Sequence, residues 1–137
     1  MIKHNRRSHY GRGQSLVEVA LVLPILLIIM MGLLDFGRAF YIQVALRDAA
    51  DEGAVYAAIH PNDTTGIEQR VVHASTMLFT IDPATISVVL PANMVAGEPV
   101  TVIISHPLQV YTPFVQGLVS GGTLTINGQS TQPIITP

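Results

Sequence analysis

Apolar and polar positions along this chain fall into three regimes. From Leu16 to Leu34 the sequence runs LVEVALVLPILLIIMMGLL, apolar all round and broken by one charge, Glu18. As a helix this block spans about 28 Å, close to the hydrocarbon thickness of a bilayer. From Asp35 to Ile59 there is no proline, and Ala45, Ala49, Gly53 and Ala57 recur every four residues. That spacing predicts a helix continuing past the membrane with a narrow groove of small side chains, used more for intrachain packing than for a subunit contact. Arg47 and Asp51 at i, i+4, and Asp35 and Arg38 at i, i+3, are candidate ion pairs along it. His60-Pro61-Asn62-Asp63 ends the helix.

A second helix is expected next. Thr65 to Glu68 has the capping-box spacing, and Ile67, Val71, Ala74, Leu78 and Ile81 form one apolar face before Asp82-Pro83 stops it. After that the period becomes two. Ile86, Val88 and Leu90 alternate, then Val100, Val102 and Ile104, then Leu124 and Ile126. The turn Ala96-Gly97-Glu98 joins the first two runs as a hairpin. Pro107 to Gly122 is expected to be a loop with one short apolar turn around Phe114 and Leu118, and Gln132 to Pro137 a loose tail. The predicted fold class is α+β: a long N-terminal helix with a transmembrane half and an exported half, a second amphipathic helix, and a small three-stranded antiparallel sheet covered by that helix.

Charge gives the membrane block a direction. Of 7 basic residues, Lys3, Arg6, Arg7 and Arg12 precede the block with no acid among them; Arg38, Arg47 and Arg70 follow it, and of the 9 acids Glu18 lies inside the block and the other eight follow. A basic head before an apolar span predicts the N-terminus in the cytoplasm and the remainder outside the cytoplasmic membrane. A cleaved secretory signal is disfavoured. The block is long for one, and Asp35-Phe36-Gly37-Arg38 is a poor cleavage site. With 12% charged residues and no cysteine, neither a disulfide framework nor a thiolate metal site is available. His4, His9, His60, His73 and His106 are scattered. No cofactor, nucleic-acid partner, small-molecule substrate or catalytic site is indicated.

Two residues inside the block need a reason. Pro24 removes a helical donor to Ala20 and marks a bend. Glu18 would cost about 3 kcal/mol at the bilayer centre and less near the interface. Cutting the chain between Gly13 and Gln14 would make Gln14 the first residue and Glu18 the fifth. A basic leader, a glycine at the cut, glutamate at the fifth position and an apolar helix resemble the processing site of type IV prepilins.

Gly11 to Ala58 resembles the TadE-like family, minor pilins or pseudopilins of the tight-adherence (Flp-type pilus) machinery. The resemblance rests on Gly13-Gln14-Ser15-Leu16-Val17-Glu18, the leucine-rich run with Pro24, Asp35-Phe36-Gly37-Arg38-Ala39, and the run from Ala49 to Ala54. Val19 and Val55 stand where that family often has an aromatic residue and an arginine. The resemblance implies a pilin-like structural subunit, trimmed by a prepilin peptidase and assembling with other pilin-like subunits and the Tad machinery. In that reading 1–13 is a leader, 14–34 the span, 35–131 an exported domain and 132–137 a tail, and Glu18 pairs with the new α-amino group of a neighbour. The competing expectation is an unprocessed single-pass anchor carrying a binding or scaffold domain.

Overall fold

The computed structural model describes residues 10–74 and 79–135; the expected leader up to His9, and Leu78 of the predicted second helix, lie outside the described residues. The element order is α1 (Tyr10–Ile59), α2 (Thr64–His73), β1 (Ile86–Val89), β2 (Pro99–Gln109), α3 (Pro113–Leu118) and β3 (Thr123–Pro133), with short 3-10 turns at Pro83–Thr85 and Ser120–Gly122. The fold is α+β, as the change of period from helical to alternating predicts.

α1 is one helix of 50 residues and runs through Pro24. The sheet has the order β1-β2-β3 and both pairings are antiparallel. In β2 the inward positions Val100, Val102, Ile104 and Leu108 are buried. Facing them across the ladders are Val88 opposite Val102, Ile86 opposite Ile104, and Gly128 opposite Ile104 on the other side. The opposite sheet face carries Ser87, Thr125, Asn127, Gln129 and Thr131, all exposed. One face is therefore covered and the other solvated, the usual arrangement for a small antiparallel sheet.

The cover comes mainly from α1, not from the second helix as the pattern predicts; α2 packs against α1. The reason is steric. Gly128 of β3 leaves room for the α1 backbone, and a Cβ there would lie 2.5 Å from the carbonyl carbon of Leu46. On α1, Ala49, Ala50, Ala54 and Ala57 are fully buried. A Cβ on Gly53 would meet Val71 of α2 at 2.5 Å and Val102 of β2 at 3.5 Å. The small-residue stripe is thus an intrachain groove, holding α2 and the sheet against one side of α1. Leu46, Ile67, Val71, Val102 and Ile104 fill the space these small residues leave.

Four expectations change in detail. The cap of α2 is Asp63, whose carboxylate accepts from the Gly66 amide at 2.9 Å, in place of a Thr65–Glu68 box. α2 ends at His73, although Ile81 is still buried in the core. The segment from Pro107 is not all loop: β2 continues to Gln109 before α3 begins. The chain end is also less loose than its composition predicts. β3 runs to Pro133, Ile134 is 2% exposed, and the Ile135 amide donates to the Ala58 carbonyl at 2.8 Å.

Candidate assembly helix and processing site

Every large apolar side chain of α1 between Leu16 and Leu34 is exposed, from Met31 at 37% to Leu16 at 71%. The helix is long and apolar enough to cross a membrane, and its most apolar stretch has no part buried inside the structure. A stripe buried on one side would mark a core helix. Exposure on all sides marks a helix whose solvent is lipid or other apolar helices.

Glu18 sits one turn inside this helix. The Gln14 amide donates to its Oε1 at 3.3 Å, a weak i, i+4 contact that aligns the side chain along the helix. Gly13 lies in α1, exposed, and a Cβ there would meet nothing within 4 Å. Nothing in the fold demands a glycine at this position, in contrast to Gly53 and Gly128. The Gly13–Gln14 bond is helical here, whereas the prepilin resemblance implies an extended chain at the cut. Glycine costs a helix about 1 kcal/mol relative to alanine, so Gly11 and Gly13 make this terminal stretch inexpensive to unwind. Pro24 lies within α1, where the ring leaves the Ala20 carbonyl without its helical donor.

Two carboxylates tie the C-terminal half of α1 to the sheet and the loop after β2, and neither contact is visible in the sequence. Asp35, the first residue past the apolar block, accepts from the Thr112 hydroxyl at 2.7 Å and from the Thr112 and Tyr111 amides at 2.7 and 3.0 Å. Desolvation pushes its pKa up, but those three donors outweigh it and hold the carboxyl below its usual range. Arg38 lies with its guanidinium 4.9 Å over the Tyr111 ring. Asp51 accepts from Ser130 at 2.7 Å and Gln132 at 3.1 Å, and these side-chain hydrogen bonds lower its pKa. Between them, Gln43 donates to the Asn127 carbonyl at 3.1 Å. The i, i+4 spacing of Arg47 and Asp51 points along the helix; the hydrogen-bond partners of Asp51 lie across it on β3. A lone glycine inside an alternating strand, as at Gly128, was the one sequence signal for this close approach.

His106 is one of the histidines that the sequence scatters without a shared site. It is half-buried in β2 with its ring 4.9 Å from Phe79, and burial pushes its pKa down. Among the described residues no cluster of three His, Cys, Asp or Glu is placed to hold a metal ion.

The class these features define is a membrane-anchored α+β protein whose N-terminal helix is apolar on all faces and merges into the domain it carries. Residues 13–55 match the family described as TadE-like protein. The match begins at Gly13 and ends within α1, before α2 and the sheet. No curated protein and no solved structure matches the chain.

Proposed function

We propose that this chain is a pilin-like structural subunit, a TadE-like minor pilin or pseudopilin used to assemble a Tad/Flp-type pilus in adhesion or secretion. The observation that carries the reading is the all-round exposure of the apolar helix together with a family match that starts at Gly13. In the membrane, lipid covers the helix. In an assembly, the same faces of neighbouring subunits would replace lipid.

A prepilin peptidase would cut between Gly13 and Gln14 after the N-terminal turns unwind. The freed α-amino group of one subunit would meet Glu18 of the next. A carboxylate among apolar helices is tolerable when a cation pairs with it. Within the described residues the partner of Glu18 is only the neutral Gln14 amide, so the charge gains its counterpart on assembly. Pro24, one to two turns further on, would set a bend in the packed helices. The N-terminus lies on the cytoplasmic side, with the α+β domain outside.

Intact-mass measurement on membrane-extracted protein tests the cut. The expected product begins at Gln14, and a chain still starting at Met1 in cells that process other prepilins overturns the reading. Glu18→Ala tests the pairing. Insertion and domain folding should be unchanged, while incorporation into pili is lost. The unprocessed-anchor alternative requires that Glu18→Ala change nothing.

A further inference from the structure

The lower end of the sheet domain can be placed relative to the membrane from its contacts with α1. β3 runs alongside α1 in the same direction: Gln43 meets Asn127, Asp51 meets Ser130 and Gln132, and Ala58 meets Ile135. From Asn127 back to Thr123 is about 13 Å of strand. From Gln43 back to Asp35 is about 12 Å of helix. The start of β3, the end of β2 and the connection between them therefore lie level with Asp35, where the apolar span ends. The hydrogen bonds from Tyr111 and Thr112 to Asp35 fix that level directly.

We propose that this connection, residues 110–122, is an interfacial seat that rests in the phospholipid headgroup layer on the domain's side of the membrane. Its composition fits that layer. It has no charged residue; indeed none follows Glu98 anywhere in the chain. Leu118 is 73% exposed at the end of α3, and Tyr111 is 55% exposed. At the same level on α1, Phe36 and Phe40 are also exposed. Amphipathic aromatic rings collect at the membrane–water boundary, and short apolar turns sink into it by several ångströms.

The connection's own polar backbone is turned inward. The Val110 amide donates to the Gly122 carbonyl at 2.9 Å, and the Gln116 side chain donates to the Val110 carbonyl at 2.7 Å. Gly121 and Gly122, with φ of 76° and 67°, turn the chain back into β3 without a bulky side chain. Arg38, over the Tyr111 ring, stands where lipid phosphates lie. The seat would hold the domain upright at the foot of α1, using only contacts that lipid supplies.

The inference rests on the membrane-span reading, and the test separates the two. Because the chain has no cysteine, Ile28→Cys, Leu118→Cys and Asn62→Cys each accept one environment-sensitive fluorophore. Ile28 lies mid-span. Asn62 lies beyond the end of α1, whose tip is about 36 Å above Asp35. Each labelled full-length chain is reconstituted into phosphatidylcholine–phosphatidylglycerol vesicles and challenged with doxyl lipids and with aqueous iodide. Lipid-borne quencher should act on Leu118 several-fold more strongly than on Asn62, most strongly when the doxyl group is shallow, and on Ile28 when it is deep. Leu118 behaving like Asn62 while Ile28 is quenched overturns the seat alone. Ile28 escaping lipid quenchers overturns the span and the seat with it. Leu118 shielded from both quenchers in proportion to protein density assigns the surface to a second copy and overturns the lipid contact.

Discussion

The two halves of α1 share one backbone and reverse the usual relation between hydrophobicity and burial. Below Asp35 the helix carries Leu, Ile, Val and Met on every side, and all are exposed. Above it the contact side is built mostly of Ala45, Ala49, Ala50, Gly53, Ala54, Ala57 and Ala58, with Ile42 and Leu46 its two large apolar side chains, and all of these are buried. The lower half contributes apolar bulk to a solvent that is itself apolar. The upper half gives up bulk so that another backbone can approach. What decides burial here is how closely a partner can come, and large side chains then enter from the partner: Ile67 and Val71 from α2, Val100 and Val102 from β2.

The sharpest way to break this comparison is to truncate one leucine in each half. Leu46 is fully buried beneath β3, so Leu46→Ala should cost about 2–5 kcal/mol of domain stability. Leu26 is half-exposed in the apolar stretch, and Leu26→Ala should leave the thermal unfolding of the α+β domain unchanged in detergent. Equal effects from the two substitutions would mean that the halves do not divide at Asp35.

Glycine gives the same contrast in the opposite direction. Gly128→Ala forces a methyl group against the Leu46 carbonyl and should destabilise the domain by about 1–3 kcal/mol. Gly37→Ala meets open space within a helix and should stabilise it by up to about 1 kcal/mol. Chemical unfolding of the full chain, followed by circular dichroism, separates the signs.

Much of this division could be read from the chain before any coordinates. An apolar run of bilayer length, a switch to every-fourth small residues and a switch to alternation each report a different neighbour: lipid, backbone and sheet. What the pattern missed has a common physical cause. Asp35, Asp51 and Gly128 act on residues about 75 to 85 positions away in sequence, and spacing along a helix only reports neighbours along that helix. Helical spacing puts Arg47 near Asp51 and Arg38 near Asp35, and their charges do help lower both carboxyls, but the hydrogen bonds come from strand and loop donors that this spacing does not report. The end of α2 was overextended for a related reason. Ile81 keeps the helical spacing and is buried, but it reaches the core from outside the helix. For the proposed processing site the order is reversed: Gly13 and Glu18 stand out in the sequence because the fold gives neither a packing role.

The smallest effects belong to the carboxylates that join the C-terminal half of α1 to the sheet. Both Asp35 and Asp51 have folded pKa values below the unfolded value of about 3.9. The unfolded chain therefore binds protons first as pH falls. Stability from each is fully present above about pH 4 and is lost as pH drops through the lower folded value. Asp35, with three donors and partial burial, should lose about 1–3 kcal/mol at pH 7 on substitution by Asn; exposed Asp51, with two side-chain donors, should lose about 0.5–1.5 kcal/mol. Asparagine keeps the acceptor oxygen, so these losses report the charge and not the shape. The difference between wild type and Asp51→Asn should shrink toward zero in unfolding curves taken from pH 7 to pH 2, while the helix content of the span stays constant throughout. A constant difference across that range would mean that Asp51 acts through packing, and that the polar notch between α1 and β3 does not depend on its charge.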